Sequence, residues 1–174
     1  TTASQNFTFG GAALVPSAKG TLTRTGYTFA GWSINIGGTG TIYSNSTDNI
    51  AGTTTTYTPS ASITFYAKWT AGTFAVTFDA NGGTGTQITN MSITAGTAKA
   101  LTPNTYTRAG YTFGGWNTLT DGTGTAYANS ASVTLFGGTI IYAQWVVVKP
   151  GAPSVTATTA GNTTATVTVT GAAV

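Results

Sequence analysis

The stretch TRTGYTFAGW at residues 23–32 returns as TRAGYTFGGW at residues 107–116, and this repetition decides how the chain is read. Arg24 and Arg108, Tyr27 and Tyr111, Phe29 and Phe113, and Trp32 and Trp116 all stand 84 residues apart. A self-match at a fixed offset marks a repeated structural unit. In both copies aromatic residues alternate before Gly-Trp, which is the period of a strand with one face buried.

Outward from this motif, ITFYAKW at 63–69 matches TIIYAQW at 139–145, now 76 residues apart. The first copy therefore carries eight additional residues, expected in the Thr-rich loop around residues 49–60. VTFDANGG at 76–83 is a further alternating strand that ends in Asn81-Gly82, a tight-turn pair because both residues accept positive φ. The segments GGTGT (37–41) and DGTGT (121–125) read as loops. Helix is scarce: a turn or two is expected over residues 97–101, halted by Pro103, with a weaker counterpart at 11–15.

Carried backwards, the offset of 84 sets Thr1 against Gly85, and nothing in the chain repeats residues 73–84 for the first copy. The first module is thus expected to lack its opening strand and to leave a sheet edge that something outside it must fill. At the other end, VVVKPGAP (146–153) runs from a strand into a linker at 149–153. Residues 154–174 hold two strand-like runs around a Gly-Asn turn, too short to bury a core alone. The expected fold is mainly β. Two tandem small modules with little helix (1–70 and 71–148) precede a C-terminal two-strand segment.

Composition narrows the chemistry. Thr and Gly make up more than a third of the 174 residues, a strand-rich and turn-rich usage. Only 5% of residues are charged, against roughly 25% in an ordinary soluble domain. The six cations are scattered from Lys19 to Lys149, so the net charge of +3 forms no phosphate-binding patch and nucleic acid is not an expected partner. No apolar run approaches the roughly 18 residues that span a bilayer, so membrane insertion is not expected. A chain 40% hydrophobic and 11% aromatic has enough apolar surface to fold. With no Cys, His or Glu there is no thiolate or imidazole to bind metal and no evident base to activate a Ser or Thr nucleophile. No catalytic, cofactor or metal residues are expected, and the chain reads as a non-enzyme. So little charge on a β-rich surface favours association.

The repeated aromatics Tyr27, Phe29, Trp32, Trp69, Tyr111, Phe113, Trp116 and Trp145, with Phe78, are expected to form the core, since each buries a large apolar area. Tyr43 and Tyr57, in or beside the longer loop, are candidates for surface contacts. Asp79 and Asn81 offer oxygen ligands, but no later carboxylate completes a calcium loop, so the segment reads as a turn. Lys68, Lys99 and Asp79 are candidates for a self-formed Lys–Asn amide beside an acid. Sequons stand at Asn6, Asn45, Asn90 and Asn162. The tail residues Ala165, Thr166, Val167, Thr168, Val169 and Thr170 form a candidate donor strand for an unfilled edge.

In the order VTFDANGG, P-x-x-TRAGYTFGGW, a Gly-rich loop and a closing strand YAQW, the chain resembles the Listeria-Bacteroides repeat, also known as the B-repeat of internalin-type surface proteins. The resemblance covers about residues 1–69 and 73–145. It implies a small β-grasp-like fold around a short helical or coiled segment, and a place in tandem arrays on secreted or surface-attached bacterial proteins. The tail is similar to the opening of fibronectin type III-like modules. The implied function is a non-catalytic extracellular structural or adhesive module that associates by strand addition. Its partners would be copies of itself or neighbouring modules of the array; the alternative is a module that binds a host or matrix glycan or protein.

Overall fold

The computed structural model describes residues 13, 15, 16, 18–44, 47, 48, 50, 53, 54, 56–58, 60, 61, 63–149 and 151, together with the backbone of 154–160 and 164–170. The strands among the described residues are β1 (Tyr27–Ser33), β2 (Ile42–Tyr43), β3 (Tyr66–Ala71), β4 (Thr73–Asp79), β5 (Met91–Thr94), β6 (Ala98–Ala100), β7 (Tyr111–Asn117), β8 (Ala126–Tyr127), β9 (Ser132–Thr134), β10 (Thr139–Val147), β11 (Ser154–Ala160) and β12 (Thr164–Thr170). No helix occurs among the described residues. The chain divides into two compact units, one of residues 1–76, 91–100 and 132–139, the other of residues 77–90, 101–131 and 140–174.

In the first unit β2, β1 and β3 form a three-stranded sheet in that order. β1 and β3 pair antiparallel from Tyr27↔Ala71 to Ser33↔Tyr66, with a bulge between Phe29 and Gly31. Gly31 has φ 110°, and a Cβ there would lie 2.5 Å from Ile42 Cγ2 and 2.9 Å from the Tyr43 carbonyl oxygen. Glycine is required both by the positive φ and by the close approach of β2. The sheet covers a core of Phe29, Trp32, Tyr43 and Phe65. Phe29 meets Trp32 and Trp69 edge-on at 5.3 and 5.6 Å, the favoured quadrupole geometry.

The same unit includes parts of the second repeat. Gly72 N donates to Gly26 O (2.8 Å), Ala95 N donates to Gly72 O (2.9 Å), and the Tyr27 hydroxyl donates to Ala95 O (3.1 Å). These bonds tie the first sheet to the β5–β6 region, so the compact units cut across the repeat boundary at residue 70. Within this unit β4 pairs β5 from Thr73↔Thr94 to Val76↔Met91, and β6 pairs β9.

The helical turn expected at 97–101 is instead β6, whose Ala98, Lys99 and Ala100 lie opposite Thr134, Val133 and Ser132. Ala, Lys and Leu favour helix, but Gly96 at φ 73° and Pro103 leave too few residues between them to nucleate one. Pairing to β9 satisfies the backbone instead. The weaker counterpart at 11–15 falls largely outside the described residues.

The five-stranded sheet has the order β5-β4-β10-β7-β8. In the second unit, β7 and β10 repeat the register of the first repeat. Trp116 lies opposite Ala143 as Trp32 lies opposite Ala67, and Phe113 opposite Trp145 as Phe29 opposite Trp69. The bulge recurs as well, and Gly115 has φ 120°. β2 and β8 keep the offset of 84, whereas β3 and β10 keep 76, so the eight extra residues lie between Tyr43 and Tyr66. Trp116, fully buried, is flanked edge-on by Phe78 and Phe113 at 5.1 Å each and by Tyr106 at 6.3 Å. β11 and β12 pair antiparallel over all seven residues, from Ser154↔Thr170 to Ala160↔Thr164, as a two-stranded sheet.

Candidate functional site

The two repeats differ most along the strand that closes each of them. In the second repeat β10 has β7 on one side and β4 on the other. β4 runs into the turn at 79–83, and the sequence builds that turn locally. The Asp79 carboxylate accepts from Asn81 N (2.8 Å), Asn81 adopts φ 46° and Gly82 φ 82°, and Gly83 N donates to Ala80 O (2.9 Å). Asp and Asn stabilise such turns because their short side chains bond the backbone two residues on.

The turn is then anchored. Asn81 Nδ2 donates to Thr120 O (2.8 Å) and Ala143 O (2.9 Å), and Trp145 Nε1 donates to Ala80 O (2.9 Å). Thr84 and Thr107 exchange backbone bonds of 2.7 and 2.9 Å. A Cβ at Gly83 would lie 2.5 Å from Trp145 Cζ2, so the indole packs directly on the Gly83 backbone.

In the first repeat β3 has one neighbour, β1, and among the described residues no strand lies on its other side. Beside β3 opens a cleft of about 490 Å³ lined by Arg24, Ile36, Gly37 and residues 66–69 of β3. Arg24 stacks on the Tyr27 ring at 3.8 Å, as Arg108 does on Tyr111 at 4.2 Å. The Lys68 stem passes over Gly38, where an added Cβ would sit 3.0 Å from Lys68 Cγ. Ile36 is 81% exposed at the rim.

The remaining sequence candidates are distributed as follows. Phe29, Trp32, Phe78 and Trp116 are buried, while Tyr27, Trp69, Tyr111, Phe113 and Trp145 are half-buried at the margins of the two aromatic clusters. Tyr43 is not a surface residue: it is 8% exposed and meets Tyr57 and Phe65 edge-on at 5.4 and 5.8 Å. The longer loop of the first repeat folds Tyr57 back onto it, and the Ser44–Thr53 hydroxyl bond with Thr53 Oγ1 donating to Ile50 O (2.6 Å) holds the loop in place. The offset of 84 carried to Tyr127 was the signal that Tyr43 belongs to a strand.

Asp79 is exposed and bonded to Asn81 N, and Lys99 donates to Ser92 O (2.7 Å), so the buried acid that an internal Lys–Asn amide requires is not supplied by Asp79. Asn90 is exposed, and the other three sequons fall outside the described residues, as does part of the 149–153 linker. Side chains of Ala165, Thr166, Val167, Thr168, Val169 and Thr170 likewise lie outside them; their backbone belongs to β12. Among the described residues no group of three or more His, Cys, Asp or Glu could hold a metal, and no helix is long and apolar enough to cross a membrane.

One carboxylate has a perturbed titration. Thr123 N (3.0 Å) and Thr123 Oγ1 (2.7 Å) both donate to Asp121, and these bonds hold its pKa below the usual carboxylate value. A lowered folded pKa means that the bonds stabilise the loop above the unfolded value and that this is lost as the pH falls through the folded one. An NMR titration of the Asp121 carboxyl should give a midpoint below that of an unstructured Asp peptide, moved part of the way back by Thr123→Ala. A midpoint at the peptide value would contradict the loop geometry.

Comparison with known proteins places this geometry. The family described as Listeria-Bacteroides repeat domain matches residues 1–68 and again 74–144. A protein of Evansella cellulosilytica named as a Gly-rich membrane protein is 29% identical over 142 residues, which is 79% of this chain and 16% of that protein. Internalin H of Listeria monocytogenes is 33% identical over 124 residues, which is 71% of this chain and 20% of the internalin. The aligned part is thus a fifth or less of either relative's length. No solved structure matches.

Proposed function

The chain belongs to the Listeria-Bacteroides repeat family, and from that premise we propose that it is a non-catalytic structural or adhesive module of a bacterial surface protein that associates by strand addition. The observation that carries this reading is the outer edge of β3, which among the described residues has no neighbour where its counterpart β10 has β4. An unpaired strand presents a row of N–H and C=O groups, and another strand satisfies them. Low charge removes the repulsion that would otherwise keep such edges apart. The similarity to Internalin H and to a protein named for the membrane supports a location at the bacterial surface.

The glycan- or receptor-binding alternative had Tyr43 and Tyr57 as its anchors, and packing against Tyr57 buries Tyr43, leaving only the half-buried Tyr57 in reach of solvent. The donor expected from the sequence, residues 165–170, already pairs with β11 along its whole length, so it can add only through its remaining edge.

The test is assembly measured by sedimentation and electron microscopy, with hydrogen exchange on the same samples. Assembled chains should show slow exchange at residues 66–71 that dilution to monomer abolishes. A chain lacking residues 154–174, run alongside, reports whether β12 is the added strand; equal assembly removes it as donor. A chain that stays monomeric at every concentration overturns self-association.

A further inference from the structure

We infer that Asn81-Gly82 is a site of self-modification, held back while the turn after β4 stays anchored and committed once that turn opens. Asn81 is the one Asn of the chain that Gly follows. Glycine carries no side chain to shield its amide nitrogen, so Gly82 N can reach the carboxamide carbon of a freed Asn81. The inference is independent of strand addition at β3, because every residue it uses belongs to the second repeat.

The chemistry balances within the chain and water. Gly82 N bonds Asn81 Cγ and closes a succinimide ring; the Cγ–Nδ2 bond breaks, and Nδ2 leaves as ammonia with the proton that Gly82 N gives up. Water then adds to either ring carbonyl and opens it, which leaves aspartate or isoaspartate at position 81. Nothing is oxidised or reduced.

The anchored turn opposes the first step. For Gly82 N to attack, the carboxamide must swing towards the backbone, yet its Nδ2 donates to Thr120 O at 2.8 Å and to Ala143 O at 2.9 Å. The flanking backbone is fixed as well. Asn81 N donates to the Asp79 carboxylate, Trp145 Nε1 to Ala80 O, and Thr84 and Thr107 exchange two bonds. Asn81 is half-buried and Gly82 exposed, so water is at hand as soon as these bonds part. The rate in the folded chain is then that of the free segment multiplied by the fraction of time the turn is open.

The product does not restore the anchor. Aspartate at 81 sets an acceptor oxygen against two carbonyls that the amide had satisfied. Isoaspartate inserts a methylene into the backbone of a turn that needs φ 46° at Asn81 and φ 82° at Gly82. Each opening that reaches the ring is recorded permanently in the second repeat.

The experiment incubates the full chain near neutral pH with and without guanidinium chloride and then cuts it with trypsin. Fragment 69–99, between Lys68 and Lys99, carries both Asn81 and Asn90, and tandem mass spectrometry locates the mass gain of –OH over –NH2. In guanidinium Asn81 should convert well ahead of Asn90, whose neighbour is Met91. In the folded chain Asn81 should convert about tenfold more slowly or less, through the two bonds on Nδ2. Trp145→Phe, which keeps a ring against Phe113 and removes one bond to the turn, should speed conversion in the folded chain about fivefold, with circular dichroism confirming the fold. Asn81→Asp, the product made by substitution, should unfold at a lower guanidinium concentration. Equal conversion of Asn81 in folded and denatured chain, conversion in guanidinium no faster than at Asn90, or indifference to Trp145→Phe overturns the inference. An unchanged unfolding midpoint in Asn81→Asp overturns its one-way character.

Discussion

Trp116→Ala should cost the second unit about 3–5 kcal/mol, the range for emptying a fully buried large aromatic site. A small β domain has only about 5–15 kcal/mol in total, so the variant should be largely unfolded in that unit at moderate denaturant. Trp116 is completely buried, and three rings, Phe78, Phe113 and Tyr106, lean on it edge-on. Removing the indole takes from all three the ring they lean on, and strands pinned by a ladder of hydrogen bonds cannot collapse into the gap.

Trp116→Phe separates the ring from its polar atom. The Trp116 Nε1 donor is buried without a protein partner, so phenylalanine discards a desolvated N–H while keeping most of the apolar contact. It should therefore cost well under half of what alanine does. Chemical denaturation followed by near-ultraviolet circular dichroism checks both, and a Trp116→Ala loss below about 1 kcal/mol would mean that the core is organised around another residue.

Gly115→Ala carries the second large effect, about 3 kcal/mol, combining backbone strain with overpacking. Its φ of 120° is a conformation that L side chains rarely adopt, and a Cβ there would lie 2.9 Å from the Tyr127 carbonyl oxygen. The β7–β8 pair must separate or the bulge must unwind. Gly110→Ala is the control that divides the two causes. Gly110 has φ 77° but nothing within 4 Å of an added Cβ, so only the conformational cost of about 1 kcal/mol remains. Equal losses at the two positions would show that close approach of β8 contributes nothing. Gly31→Ala should behave like Gly115→Ala, because the bulge and the approach of Tyr43 recur there.

The strands were legible where local pattern and tertiary demand agree. YTFAGW and YTFGGW alternate, repeat at one offset and fold as β1 and β7 in matching register. Residues 97–101 misled because propensity favours helix there, while the partner that makes them a strand, β9, lies more than thirty residues away. Tyr43 misled for a related reason: the loop that buries it belongs to the first repeat alone, and its fold back through Tyr57 and Phe65 leaves no periodic trace. The cleft beside β3 was the least legible feature, since Arg24, Ile36 and Trp69 come from three separate segments.

Strand addition at the flank of β3, which has no neighbour among the described residues, would give the chain polarity. A strand added there from a different part of a neighbouring copy would make a heterologous contact, which closes into rings or extends as open fibres, whereas β3 pairing antiparallel with its own copy would give a closed two-fold dimer. Growth through this flank would have a head and a tail, and any polymer so built would end on an unsatisfied receptor at one tip.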